Sequence, residues 1–428
     1  MKKDIKEKNY FFGLIKKALI FAVWLVFITF PLIVVKVNTL KDTIEWRWLN
    51  ALWVFLGGLG GYILWMYALR RKEMGAGKKN GDSNKSLISR NIQKLKTHVT
   101  ANRKLMITMY IAFGIMICIF PLFSKLYNIN IMINVLVYVM LGLGLNITVG
   151  LGGILNLGHA AFFAVGAYSY AILNYHFGLD FWIALPLGGI LALIFGILLS
   201  IPILRLKGDY LAIVTLAFGE IVRIVLENWD ELSFGPSGIA KIPKPYIPGI
   251  ELTYLQSMQF TYYLMIGLTI LAIFVINRLK YSRIGRALMA MREDEIASKS
   301  MGVNTVKMKI ISFALGSFWA GLAGVMFAAK QTYINPVSFT VWNSIIVLCI
   351  VVLGGMGSIK GVIVAAFVLT VLPEWLRFFQ DYRMLLFGAV LVVMMVFKPE
   401  GLLPEKRKIY QFKKIDYNRI GNTKKNGR

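Results

Sequence analysis

The sequence predicts an all-α protein, a polytopic transmembrane helix bundle of about 10–12 spans. Two observations carry that prediction. Of the 428 residues, 57% are hydrophobic and only 16% are charged, with a mean hydropathy of +0.65. Water-soluble domains are roughly 45–50% apolar and about 25% charged. The second observation is where the charge sits. The 48 Lys and Arg outnumber 21 Asp and Glu, but they are gathered in four stretches. Residues 1–17 carry a net +4, residues 70–104 +9, residues 277–309 +5 and residues 398–428 +7, with long apolar runs between them. A basic face for nucleic acid would be continuous. Basic residues confined to alternate loops are the positive-inside pattern, so the partner they imply is the lipid bilayer and no nucleic acid is expected.

Crossing the hydrocarbon core takes about 20 apolar residues. Runs of that kind are Ala18–Val35, Trp48–Leu69, Leu105–Phe123, Ile131–Val149, Phe181–Leu204, Phe260–Ile276 and Ile310–Ala329. His159–Leu173, Tyr210–Leu226, Ser344–Leu353, Gly361–Leu372 and Met384–Phe397 are shorter or interrupted by polar groups. Placing all four basic stretches in the cytoplasm requires an even number of crossings between each pair, and two, six and four candidates meet that requirement. Both termini are then cytoplasmic. Gly354, Gly355, Gly357 and Gly361 leave short or re-entrant helices open as an alternative after residue 343. The opposite side receives residues 227–257, where Glu227, Asp230, Glu231 and Glu251 face Lys241 and Lys244. Pro236, Pro243, Pro245 and Pro248 make it an ordered loop without a long helix. The basic start of the chain runs into an apolar stretch with no small-residue cleavage site after it, so it reads as a retained membrane helix. Three parts follow: an extension, 1–104, with two membrane helices and a basic cytoplasmic linker; a transmembrane core, 105–403; and a basic cytoplasmic tail, 404–428.

Cys118 and Cys349 lie inside apolar runs and read as buried thiols. His98, His159 and His176 lack paired spacing, so no metal centre is expected. The chain contains no G-x-x-x-x-G-K-[ST] pattern, so no cofactor is expected in it and any ATP belongs to a partner. Small residues recur at helix-packing spacing in Gly57 and Gly61 and in Gly316, Ala320 and Gly324. Such stripes serve either packing within one bundle or a dimer face.

Two apolar stretches contain polar residues whose cost in a membrane asks for a reason. Leu141–Ala160 mixes glycines with Asn146, Asn156 and His159, a composition that permits an unwound segment where it packs on protein or lines a cavity. Arg205–Trp229 holds Tyr210, Thr215, Glu220 and Arg223, of which Glu220 and Arg223 are three apart and can pair. Asn156, His159, Tyr210, Thr215, Glu220 and Arg223 are therefore the candidates for a substrate pathway. The alternatives are a histidine serving a backbone carbonyl and a structural ion pair. Between Arg278 and Lys309, Met289, Met291, Ile296 and Met301 alternate with charges up to a break at Gly302. That pattern predicts an amphipathic cytoplasmic helix over 282–303, lying on the membrane or against a partner protein.

Five motifs occur in order: LNLGHAAFFAVGAY (Leu155–Tyr168), LRLKGDYLAIVTLAFGEIVR (Leu204–Arg223), SRIGRALMAMREDEIASKSMGV (Ser282–Val303), VLGGMGSIKG (Val352–Gly361) and KPEGL (Lys398–Leu402). Together they resemble the M-type permease subunit of bacterial branched-chain amino-acid ABC importers, over roughly residues 105–403. The resemblance implies an importer permease of the cytoplasmic membrane that is a transport subunit and not an enzyme. Its implied substrates are leucine, isoleucine and valine, moved by alternating access. The implied partners are an H-type permease in a heterodimer, two ATP-binding cassette subunits and an extracytoplasmic substrate-binding protein. It also implies that Arg292, Glu293, Asp294, Glu295, Ala297, Ser298 and Gly302 belong to the coupling helix that seats in an ATPase subunit. Two departures stand out. The E-A-A-x-x-x-G pattern of wider ABC importers has Ile296 at its glutamate, and the usual Thr-Gly-Gly-Pro of the outer loop has Phe234 at one glycine. Other readings are a permease for urea, short amides or another small solute, an ion-coupled secondary transporter with His159 and Glu220 as relay, and a membrane scaffold.

Overall fold

The computed structural model describes residues 117–206, 208–246, 253–376, 383–398 and 401–404, together with 35–38, 43–46 and the single positions 19, 52, 55, 59 and 114. The chain divides into two compact units, Met1–Tyr110 and Ile111–Arg428. In the first, β1 (Val35–Asn38) pairs antiparallel with β2 (Thr43–Trp46), Val35 opposite Trp46. The expected spans Ala18–Val35 and Trp48–Leu69 with their Gly57/Gly61 pair, the linker 70–104 and the tail 404–428 lie outside the described residues, apart from the positions just named.

The second unit is a helix bundle. Residues 117–123 are helical. They are followed by α1 (Leu126–Leu145), α2 (His159–Phe177), α3 (Phe181–Ile203), α4 (Asp209–Asn228), α5 (Tyr254–Tyr281), α6 (Arg283–Glu293), α7 (Glu295–Ser300), α8 (Thr305–Gln331), α9 (Val341–Gly354), α10 (Ile359–Trp375) and α11 (Arg383–Phe397). Five of the described helical stretches are long and apolar enough to cross a membrane: 126–151, 181–203, 254–281, 305–331 and 336–354. In α1 and α8, 72% of the apolar window is buried, against 33% in α5, so α1 and α8 form the interior pair and α5 faces outward. Exposed apolar side chains on α3, α4 and α5, such as Ile194, Ile213 and Phe274, are what a lipid or a partner helix would cover.

Local chemistry explains the boundaries. Thr253 and Gln256 form a reciprocal capping box at the start of α5. Asn304 accepts from Lys307 N at the start of α8, and Ser358 accepts from Gly361 N at the start of α10. Gly178 takes φ 62° to close α2, its N–H on the Asn174 carbonyl. The small-residue stripe of α8 is used inside the bundle: a Cβ at Gly316 would lie 3.0 Å from the Gly144 carbonyl oxygen of α1, and one at Gly324 would lie 2.7 Å from Ala167 N of α2. Packing within one bundle therefore accounts for Gly316, Ala320 and Gly324, all of which are buried.

The outer connections are short, as the prolines require. After α4 come one helical turn (Asp230–Ser233), a 3-10 turn (Gly235–Ser237) and β3 (Ile239–Ala240), which pairs with β4 (Tyr333–Ile334) after α8. Two expectations need correction. Cys118 is exposed and Cys349 half-buried; an apolar run shows that a residue avoids water, and the outside of a membrane bundle is itself apolar. The 282–303 segment, expected as a single cytoplasmic helix, is not one helix but two, α6 and α7, with Asp294 between them.

Candidate functional site

The glycine-rich stretch after α1 is the most irregular part of the bundle interior. Beyond Leu145 the helix widens into a π-turn, Asn146–Leu151, and then unwinds until α2 starts at His159. His159 Nε2 lies 3.1 Å from the Leu141 carbonyl oxygen. That oxygen belongs to a residue ten positions before Leu151, roughly 15 Å back along a helix. The chain thus descends as α1, turns at residues 151–153 and climbs back unwound before α2 begins. Gly153 makes the turn at φ 68°.

An unwound segment inside a bundle must find partners for its backbone, and it does. Leu157 N donates to Thr215 Oγ1 at 3.0 Å, Gly158 N to Asn156 Oδ1 at 3.0 Å and Ala160 N to Ser344 Oγ at 2.8 Å. Thr215 Oγ1 in turn donates to the Ala212 carbonyl at 2.9 Å. Asn156, His159 and Thr215 are all buried and meet at this break. Among the described residues, two buried atoms here have no hydrogen-bond partner, Asn156 Nδ2 and His159 Nδ1.

The other pathway candidates lie elsewhere. Tyr210, at the start of α4, is 74% exposed and stands apart from the break. Glu220 and Arg223 pair as their spacing predicts, Nε to Oε2 at 2.8 Å, but Glu227 is also engaged, with Arg223 Nη1 to its Oε2 at 2.6 Å. One guanidinium thus serves two carboxylates on the half-buried face of α4, a triad that the i, i+4 spacing of Arg223 and Glu227 already permits. His159 and Glu220 have separate partners, the Leu141 carbonyl and Arg223, so the bonds present do not form the relay of the ion-coupled reading.

Between α5 and α8, α6 and α7 form an elbow. Leu288 and Met291 are buried and anchor α6. Asp294, at φ −156° and ψ 114°, leaves the helical region, and its carboxylate caps α7 by accepting from Ile296 N and Ala297 N at 2.8 and 2.9 Å. An N-cap aspartate competes with the continuing amphipathic pattern, and here the cap wins. Ser298 is buried, while Ala297 is exposed and Ile296 and Met301 are 71% and 84% exposed, an apolar tip that does not continue the buried face of Met291. Gly302 follows at φ 84° and turns the chain into α8.

Two members of the acidic triplet are committed within the chain. Asp294 caps α7, and Glu295 pairs at 2.7 Å with Lys309, which is only 5% exposed. Arg292 points inward: its Nη1 donates to the Gly150 carbonyl at 2.5 Å. Sequence reasoning passed over Lys309, Gly150 and Ser344, and it gave Glu227 to the loop 227–257, whereas Glu227 lies in the last turn of α4. Lys309 had a visible signal, a cation directly before the apolar run Ile310–Ala329.

In the loop after β3, the Pro243 carbonyl accepts from Tyr170 at 2.8 Å and the Tyr246 carbonyl from Trp182 at 3.1 Å, pinning that loop to α2 and α3. Lys244 Nζ sits 3.4 Å from the centroid of the Tyr254 ring, and burial lowers its pKa. Phe234 takes the left-handed conformation, φ 58°, with its ring against Tyr175 at 4.9 Å.

Residues 127–395 match the model of a family described as branched-chain amino acid transport system / permease component. The chain is 40% identical over 391 residues, 87% of its length and 88% of the relative's, to the high-affinity branched-chain amino acid transport system permease protein LivM of Escherichia coli K12. Over 300 residues, 65% of this chain and 71% of the relative, it is 46% identical to LivM of Salmonella typhimurium. The high-affinity permease protein LivH of Salmonella typhimurium is more distant, 26% identical over 292 residues, 64% of this chain and 93% of that protein. No solved structure matches.

Proposed function

The chain belongs to the branched-chain amino acid transport permease family, and from that premise we propose that it is the M-type membrane subunit of an ATP-driven importer of leucine, isoleucine and valine. The observation that carries the substrate is the 40% identity to a LivM protein across 87% of the chain. The chain is a multi-pass membrane permease and pairs, within an ABC transporter, with an H-type permease. Two ATP-binding cassette subunits on the cytoplasmic side and an extracytoplasmic binding protein complete the assembly. Residues 277–309 face the cytoplasm together with residues 70–104 and both termini; their excess of Lys and Arg supports this orientation. Residues 1–104 are an extension to a transport core, 105–403, and 404–428 are a cytoplasmic tail.

In this reading the elbow docks on an ATPase subunit through its tip, Ile296, Ala297 and Met301, with Gly302 holding the turn. The exposed apolar pair in a charged surrounding supports it. Glu293, Asp294, Glu295 and Ser298 shape that tip. Nucleotide binding moves the elbow and the bundle alternates between outward and inward access. The substrate pathway runs past Asn156, His159 and Thr215 at the break and past Tyr210, Glu220 and Arg223 on α4. The unspent Asn156 Nδ2 and His159 Nδ1 support the first group, because a buried polar atom without a partner is costly unless something transient satisfies it.

The test is import of labelled leucine into proteoliposomes holding the complete importer, with urea and acetamide as competitors. Leucine import that valine inhibits and urea does not is the expected result. Import of urea without leucine refutes the substrate assignment.

A further inference from the structure

Arg292 lies in the segment expected to touch the ATPase, yet its guanidinium is turned into the bundle. It reaches the carbonyl of Gly150, one of the last four residues of the π-turn, whose oxygens have no helical N–H to accept from. The contact is also tight at the base of the side chain, from Cα to Cγ. A Cβ at Gly153 would lie 2.7 Å from Arg292 Cγ, 3.0 Å from its Cβ and 3.1 Å from its Cα.

A third segment closes on the same point. Asn146 Oδ1, at the head of the π-turn, accepts from Gly357 N at 2.8 Å. Gly357, in the turn between α9 and α10, accepts through its own carbonyl from the buried Lys280 Nζ at 3.1 Å. A Cβ at Gly150 would lie 2.6 Å from Gly357 N. The elbow, the end of α1 and the α9–α10 turn therefore share one packed point, and the unwound segment 152–158 leaves directly from it. The other half of the elbow is tied to α8 by Glu295 and Lys309.

We propose that Arg292 is a positioning residue, not an ATPase contact: it clamps the cytoplasmic elbow to the π-turn so that a displacement of the elbow is delivered to the unwound segment and the start of α2. Without the clamp, α6 still packs through Leu288 and Met291, but the carbonyl of Gly150 loses its donor and the π-turn no longer follows the elbow. The proposal rests on the importer reading given above and assigns the step at which ATP-driven motion enters the substrate pathway. Glycines are required at 150 and 153 because side chains there would hold the segments apart, and Gly357 makes its turn at φ 87°.

The test uses the complete importer in proteoliposomes with its binding protein, reading leucine imported per ATP hydrolysed and, separately, retention of the ATPase subunits on purification. Arg292→Met removes the donor, and Gly153→Ala sets a methyl group against the Arg292 stem without touching the charge, while also straining the turn that Gly153 makes at φ 68°. Both are expected to retain the ATPase subunits and to lose at least tenfold in leucine imported per ATP. Arg292→Lys, which keeps a donor and the charge, is expected to recover to within about threefold of the parent. If Arg292→Met yields no folded permease pair, Arg292→Lys and Gly153→Ala decide the matter by the same ratio. An unchanged ratio in Gly153→Ala overturns the proposal, as does loss of the ATPase subunits in Arg292→Met, which would make Arg292 a partner contact. Ile296→Asp separates this from the underlying reading: that variant should release the ATPase subunits. Its retention of them refutes the docking tip and leaves the clamp to be judged on its own ratio.

Discussion

Gly166→Ala tests whether α2 and α8 touch backbone to backbone. A Cβ at Gly166 would lie 2.5 Å from the Cα of Gly321 and 2.6 Å from its carbonyl carbon, where 3.4 Å is the near edge of ordinary contact. Clearing the Cα alone requires the helices to part by about 0.9 Å (3.4 less 2.5), and the Gly321 carbonyl oxygen, closer still, asks for more. They cannot part freely, because Gly321 is also held from α3: a Cβ there would lie 3.2 Å from Gly189 Cα. Overpacking of this kind costs typically about 1–3 kcal/mol, and a gap of even half an ångström forfeits roughly a quarter of each lost contact along the interface. Gly267, in the middle of α5 with nothing within 4 Å of a Cβ, is the matched control. Alanine there adds about 0.5–1 kcal/mol of helix stability or leaves it unchanged. The assay is the thermal midpoint of the detergent-purified permease pair, followed by size-exclusion of the remaining monodisperse fraction. Gly166→Ala should fall by several degrees and Gly267→Ala should not fall. Equal midpoints for the two variants would refute the packing argument.

Three further outcomes follow from the same geometry. Arg223→Gln strands two carboxylates and should destabilise more than Glu220→Gln, which leaves Arg223 paired with Glu227; partial exposure keeps the difference near 1 kcal/mol, and equal midpoints would count against the triad. Phe234→Ala loses the Tyr175 contact but keeps the left-handed strain, whereas Phe234→Gly loses both. The glycine variant should therefore be the more stable of the two by about 1 kcal/mol, and the reverse order would show that the backbone does not hold that conformation. In a Cys118→Ser background, Glu231→Cys should react with an impermeant thiol reagent on intact cells and Ile296→Cys only after the membrane is opened. Labelling of Ile296→Cys from outside would invert the topology.

Much of the bundle was legible because apolar length and charge placement are one-dimensional signals. Phe181–Leu204, as read from the sequence, differs from α3 by one residue, and the candidate Ile310–Ala329 lies wholly inside α8. The short helices α9 and α10 were legible as short because the glycines between them mark the turn. What escaped is non-local or depends on competition. The β3–β4 pairing joins residues 239–240 to 333–334, across the whole of α5 to α8, and two residues carry no periodicity. The elbow break at Asp294 sets a local cap against an amphipathic pattern of comparable strength, so hydrophobic period alone points to the wrong outcome. Phe234 occupies a conformation that its own side chain disfavours, held by its N–H on the Asp230 carbonyl and packed by the Tyr175 ring, which is distant in sequence.

The break between α1 and α2 shows why polar residues inside a membrane cannot be assigned to substrate by type. Glycines near Asn146 and Asn156 announce an unwound segment, and that inference needs no structure. An unwound segment, however, creates its own demand for donors and acceptors, and the polar residues that answer it look the same in sequence as those that answer a solute. Thr215 Oγ1 both accepts from Leu157 N and donates to Ala212 O, so its hydroxyl is spent on backbone. Asn156 spends its carbonyl oxygen on Gly158 N and keeps its amide nitrogen; His159 spends Nε2 on Leu141 and keeps Nδ1. The distinction between an atom spent on the scaffold and one still unpaired therefore runs through the middle of single side chains. It follows atom by atom from what remains unpaired once the backbone has been served.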